Sequence, residues 1–171
     1  MSRNAPVRVA AAFRAVLLLA LAGVCGGCGF RLAGSEPLPA IMVKPYLEVQ
    51  DSYTDFAREF ARNLQGSGAQ LQSLAAQASA TVQVTRDEVQ RRVLSVSANN
   101  IPTEYELTYT VTIAVQADGR EILTPQTLSL SRDYSFDENT LLAKENEEDV
   151  LRTQMARDLA VIATRRLTSL K

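Results

Sequence analysis

Histidine and tryptophan are absent from the 171 residues, and cysteine occurs only twice. Without histidine the chain has no Ser-His-Asp or Cys-His catalysis, no His-ligated metal and no histidine pH switch. A long hydrophobic run is missing too: the uncharged apolar stretch at residues 15–24 is ten residues, half of the roughly 20 that a membrane-spanning helix needs. Charge of one sign is not in excess, with 18 basic against 19 acidic residues, so the basic face on which broad nucleic-acid binding depends is not expected. Internal repeats and low-complexity tracts are lacking. What remains, 46% hydrophobic and 22% charged residues, is the composition of one ordinary folded domain.

The first residues carry Arg3, Arg8 and Arg14 without an acid, then the apolar stretch, then Cys25-Gly-Gly-Cys28. That is the layout of a bacterial export signal. Gly26 and Gly27 are the small residues that lipoprotein signal peptidase prefers before its cysteine, so cleavage is expected between Gly27 and Cys28, with Cys28 as the lipid acceptor. Cys25 stands three positions before it, where an aliphatic residue is usual. The competing reading of the two cysteines, a redox or metal CxxC, needs a helix start in a βαβ setting or further ligands that a His-free chain does not supply. Cleavage removes three arginines and no acid. The 18 basic residues become 15 against 19 acids, a net charge of −4 for the mature chain. Several acyl chains on Cys28 would give stable anchoring, since each buried methylene contributes about 0.8 kcal/mol.

Residues 28–39 read as a lipidated tether and 40–171 as a single domain. A first strand is predicted over residues 40–46, with Pro45 ending it or lying at an edge. Ser52-Tyr-Thr-Asp55 has the form of a capping box before Phe56, Phe60 and Leu64, and Gly66 and Gly68 follow, so a helix is predicted over 52–65 with its aromatic stripe in the core. Residues 69–74 read as a short strand. Residues 80–97 read as a long one with Val82, Val84, Leu94 and Val96 in phase, interrupted by a polar middle at 86–92 that predicts a bulge or an overhang.

The clearest signal is the alternation of Tyr105, Leu107, Tyr109, Val111, Ile113 and Val115 with polar residues, a half-buried strand. Asp118-Gly119 then predicts a hairpin turn, and residues 122–136 the next strand, with Leu128, Leu130, Tyr134 and Phe136 in phase. Asn146-Glu-Glu-Asp149 is read as capping a final helix whose stripe is Leu151, Met155, Leu159, Ile162, Ala163 and Leu167. The resulting fold class is α+β: a two-layer sandwich of two amphipathic helices on a four- or five-stranded mixed, largely antiparallel sheet.

Four segments now fall in order: Cys28-Gly-Phe-Arg-Leu after a signal, Thr103-Glu-Tyr-Glu-Leu-Thr-Tyr before the best strand, Arg132-Asp-Tyr-Ser-Phe-Asp137, and Leu142-Ala-Lys-Glu-Asn-Glu-Glu148. Together they resemble the LptE family of LPS-assembly lipoproteins, formerly called rare lipoprotein B. The sequence departs from the family's pattern at Ala33 and Ala98, where arginine or another basic residue is common. The resemblance implies a lipid-anchored outer-membrane protein on the periplasmic side. It would plug and help assemble the β-barrel of LptD, its partner, and take part in delivering lipopolysaccharide to the outer leaflet. It implies no enzyme activity, no cofactor, no metal and no nucleic-acid partner.

For an anionic glycolipid the useful groups are exposed Lys and Arg. Lys144, expected on a loop between the last strand and the last helix, is the first candidate for lipopolysaccharide binding, and Arg91 and Arg92 follow. Each is at least as readily read as a solvated surface charge or a helix-end partner. Two other classes stay open: an envelope lipoprotein scaffolding a different complex, and an enzyme using Asp133 and Asp137, which stand four apart in one strand.

Overall fold

The computed structural model describes residues 38–135 and 141–170, with side chains of the last helix described from Glu147 onward. Strand β1 (Pro45–Val49) leads into helix α1 (Asp55–Gly66), followed by β2 (Ala80–Val96), β3 (Pro102–Ala117), β4 (Arg120–Ser135) and helix α2 (Leu141–Thr168). The sheet order is β1-β2-β3-β4. β1 runs parallel to β2, with α1 in the crossover between them, while β2, β3 and β4 form an antiparallel meander. The expected two-layer α+β sandwich is what forms, with four strands in a mixed, open sheet.

Both helices lie on one face of the sheet because both carry an apolar stripe that only the sheet and each other can bury. Phe56, Phe60 and Leu64 of α1 meet Met155, Leu159, Ala163 and Leu167 of α2, above Val82, Val84, Leu107, Val111, Ile113 and Val115. Phe56 and Phe60 stack with ring centroids 5.2 Å apart. Each such side chain, fully buried, contributes about 1.5–3 kcal/mol relative to exposure. The β3 alternation predicted for one buried face holds from Leu107 to Ile113 and breaks at Ala114, which is buried where the pairing with β4 shifts.

Where the structure departs from the sequence expectations, a local cause is visible. Residues 40–42 form a 3₁₀ turn, not the start of a strand, because the turn drops Met42 into the core. β1 begins at Pro45, whose missing N–H is tolerated at a first strand position. The strand predicted at 69–74 reduces to one bridge between Gln72 and Tyr46. α1 begins at Asp55: Thr54, not Ser52, is its cap and accepts from the Ala57 N–H at 3.1 Å. α2 begins five residues before Asn146, so Asn146-Glu-Glu-Asp149 is interior helix. Within its stripe Ile162 is 39% exposed, while Ala156 and Ala160 are buried. Asp118 and Gly119 both have positive φ, 50° and 70°, as a two-residue hairpin loop of the I′ kind requires.

The bulge expected in β2 has the largest consequence. The register slips between Val84 and Arg86, so even-numbered residues face the helices before the slip and odd-numbered ones from it as far as Val93. Val82 and Val84 are buried, but Leu94 and Val96, in phase with them in the sequence, are 41% and 51% exposed. The same slip turns Arg91 toward the helix layer, opposite the buried Leu107, and Arg92 toward the other face, opposite Glu106.

Candidate functional site

Arg91 and Arg92 stand on β2 at the end of the packed core, Arg91 opposite the buried Leu107. As neighbours in a strand they point to opposite faces of the sheet and do not form one basic patch, and the slip in β2 decides that Arg91 is the one on the helix side. Arg91 Nη1 lies 3.0 Å from Glu148 Oε2 of α2, and its guanidinium sits over the Tyr105 ring of β3, 4.9 Å from the centroid. Arg92 pairs with Glu106 of β3 at 2.8 Å. Both arginines remain accessible, at 54% and 71% of their side-chain surface. Lys144 lies within α2 rather than on the expected loop, because that helix starts at Leu141. Its position is one helical turn before Glu148, which brings it to the Arg91 end of the molecule.

Glu148 is the hub that sequence reasoning missed. Its carboxylate accepts from the Tyr134 hydroxyl at 2.6 Å, from Arg91 at 3.0 Å and from Arg152 at 3.1 Å. Tyr134 in turn stacks on Tyr105, centroids 5.6 Å apart. One carboxylate thus ties β2, β4 and α2 together over a tyrosine of β3. Burial works against the charged form of Glu148, but hydrogen bonds from Tyr134 and Arg91, with the charges of Arg91 and Arg152, outweigh it and hold the carboxyl below its ordinary pKa. Burial and the hydrogen bond to Glu148 push the Tyr134 phenol up to about 12. Hydrogen bonds to Tyr134 and Glu148 raise Arg91 above its usual value. A signal for this cluster was present: Tyr105, Tyr134 and Glu148 each belong to one of the segments that carry the family resemblance, and the fold brings them together.

A second carboxylate joins the layers near the start of α1. Asp87 of β2 accepts from the Thr54 hydroxyl and, at 2.9 Å, from Tyr109 of β3. Burial, and then the Asp87 charge, raise the Tyr109 phenol well above its ordinary pKa. The open cleft here, about 400 Å³, is lined by Asp55, Asp87 and Glu88, with Arg152 as its cation among the described residues, a lining that repels an anionic ligand.

The face of the sheet turned away from the helices is polar. Thr108–Ser131, Thr110–Ser129 and Thr112–Thr127 bond across β3 and β4 at 2.9, 3.1 and 3.0 Å. Arg86 pairs with Glu88, Arg92 with Glu106, and Gln83 donates to Glu48. Hydroxyls and neutralised charges therefore make up much of this surface. Asp133 lies there, opposite Glu106. Its supposed catalytic mate Asp137, like Gly27, Cys25, Cys28 and Phe136, lies outside the described residues. Among the described residues no group of His, Cys, Asp and Glu is arranged to hold a metal ion. Among the same residues no helix is long and apolar enough to cross a membrane.

Residues 45–167 match the family model described as "LptE: Lipopolysaccharide-assembly". The chain is 30% identical over 153 residues to the LPS-assembly lipoprotein LptE of Yersinia pestis, a match spanning 88% of this chain and 73% of that protein. Two of the similar solved structures show the same fold. A minor lipoprotein from Acinetobacter baumannii has a TM-score of 0.64 and 26% identity, covering 77% of this chain and 94% of that one. The rare lipoprotein B of Shewanella oneidensis has a TM-score of 0.62 and 27% identity, covering 72% and 93%.

Proposed function

Because the chain belongs to the LptE lipopolysaccharide-assembly family, we propose that it is an outer-membrane lipoprotein, anchored through Cys28, that plugs and helps assemble the LptD β-barrel. In that position it takes part in passing lipopolysaccharide to the outer leaflet and works by binding, without catalysis. The single observation that carries this reading is the family match, which spans the folded domain from β1 into the last turn of α2.

The geometry supports it physically. The interior of a large membrane barrel is polar and water-lined. A plug has to present a surface that loses little on entering such a lumen. The hydroxyl ladders and paired charges on the outer sheet face meet that need, since their polar groups are satisfied within the protein before any partner arrives. The helix face, by contrast, is spent on the core.

Arg91, Arg92 and Lys144 are the groups assigned to the anionic part of lipopolysaccharide. Arg91 is held in place by Glu148 and Tyr105 with about half its surface open, so it offers a guanidinium edge of fixed orientation. The decisive test is depletion of the protein in its own bacterium, followed by labelling of newly made lipopolysaccharide at the cell surface. Loss of surface arrival, with an LptD-sized barrel recovered stoichiometrically on the tagged protein, is expected. Normal arrival, or recovery of the protein alone, refutes the proposal.

A further inference from the structure

We infer that the tip of the β2–β3 hairpin takes the acyl chains of the glycolipid, separately from the cations that face its phosphates. This rests on the lipopolysaccharide reading above and names the part of that ligand the tip would hold.

Residues 93–103, Val-Leu-Ser-Val-Ser-Ala-Asn-Asn-Ile-Pro-Thr, contain no charged side chain, although 22% of the whole chain is charged. Three of its aliphatic residues are open to solvent: Val93 at 45%, Leu94 at 41% and Val96 at 51%. They stand where the two strands run on past the core, and two further slips, between Val93 and Ser95 and between Ser95 and Val96, loosen the regular pairing there. The register places Val93 on the helix side with Tyr105 and Val96 on the opposite side with Pro102.

Apolar groups on both sides of a two-stranded tip decide what can cover them. A flat protein surface or a groove covers one side and leaves the other wet. Acyl chains surround the tip and bury both. Ser95, Ser97 and Thr103 spend hydroxyls on local bonds, to Glu104, to the Ile101 N–H and to one another, so the polar side chains of the tip enter an apolar phase partly satisfied. The cations Arg91 and Arg92 follow directly below Val93, at the distance of one or two strand residues. Aliphatic tip and cationic base are thus stacked along the hairpin in the order in which an anionic amphiphile stacks chains and phosphate.

The chain has no tryptophan, so one introduced indole reports its own surroundings. Leu94→Trp and Val96→Trp place it at the tip, and Val161→Trp, at an α2 site of similar 40% exposure, serves as control. Each protein is titrated with lipopolysaccharide and with chemically deacylated lipopolysaccharide. Binding is followed independently by retention of labelled glycolipid. The expected result is a blue shift of tip emission with the acylated ligand alone and none at Val161→Trp. Leu94→Asp combined with Val96→Asp should weaken retention about tenfold or more, given the apolar transfer energy of two aliphatic side chains. Retention with unchanged tip emission overturns the inference and leaves the lipopolysaccharide reading standing. Equal shifts at all three sites also overturn it, as does a shift with the deacylated ligand. Absence of both retention and shift overturns the two readings together. The tip sites are surface positions, and a circular dichroism spectrum like that of the parent verifies the fold of each variant.

Discussion

Removing the Glu148 carboxylate tests whether the hub holds the hairpin end of the sheet to α2. In Glu148→Ala, Tyr134 loses an acceptor at 2.6 Å, Arg91 one at 3.0 Å and Arg152 one at 3.1 Å. The three losses are unequal. Tyr134 is 6% exposed, and a buried hydroxyl left unsatisfied costs about 1–3 kcal/mol. Arg91 is half exposed, so its pair is screened and is discounted to about 0.5–1 kcal/mol, and the i,i+4 pair with Arg152 to about 0.3–0.5 kcal/mol. The expected destabilisation is about 2–4 kcal/mol, read as a lowered urea midpoint at constant slope. Tyr134→Phe alone removes the hydroxyl along with its need for a partner and should cost about 1 kcal/mol. In the double-mutant cycle the two sites should couple by about 1–2 kcal/mol. A Glu148→Ala loss below about 0.5 kcal/mol, or additive single effects, refutes the hub, because exposed pairs alone give values of that size. The acid limb supplies a second readout. The folded pKa of Glu148 lies below its ordinary value, so the stabilisation is present above that value and disappears as pH falls through the folded pKa. The stability curves of parent and Glu148→Ala should therefore converge in acid.

Asp87→Ala leaves the Tyr109 hydroxyl without its acceptor and frees the Thr54 cap, and about 1–3 kcal/mol of destabilisation is expected in the same unfolding assay. At high pH the Tyr134 phenol, raised to about 12, adds stability that is intact below the ordinary tyrosine pKa of about 10 and is lost as pH climbs through 12. Ultraviolet titration should accordingly find Tyr134 and Tyr109 ionising above the ordinary tyrosine range. Gly119→Ala, at φ +70°, should cost about 1–2 kcal/mol by thermal unfolding, since an L side chain disfavours that backbone region. Charge reversal separates binding from folding only if the sites are chosen with the hub in view. Arg91→Asp sets a second carboxylate against Glu148 and lowers stability, whereas Lys144→Asp with Arg92→Asp should reduce lipopolysaccharide retention several-fold, with unfolding midpoints read alongside.

Periodicity alone was enough for β3, for the Asp118-Gly119 turn and for the aromatic stripe of α1, because each is a local pattern whose apolar face leaves the chain one way to bury it. The absence of histidine likewise removes whole classes of chemistry on composition alone. The family resemblance, too, was legible in four short segments. The position of one extra residue in β2 was not. A polar run at 86–92 announces some irregularity, but the slip between Val84 and Arg86 depends on which β3 residue each β2 residue meets, and pairing across a hairpin is a tertiary quantity. That slip decides nearly everything at the candidate site. It turns Arg91, and not Arg92, toward the helix layer and so delivers it to a carboxylate 57 residues away on another element. Sequence determined which side chains this protein owns and which stretches extend or coil. Only the packed sheet decided which face each one meets, because a shift of one residue in a strand reverses every side chain after it.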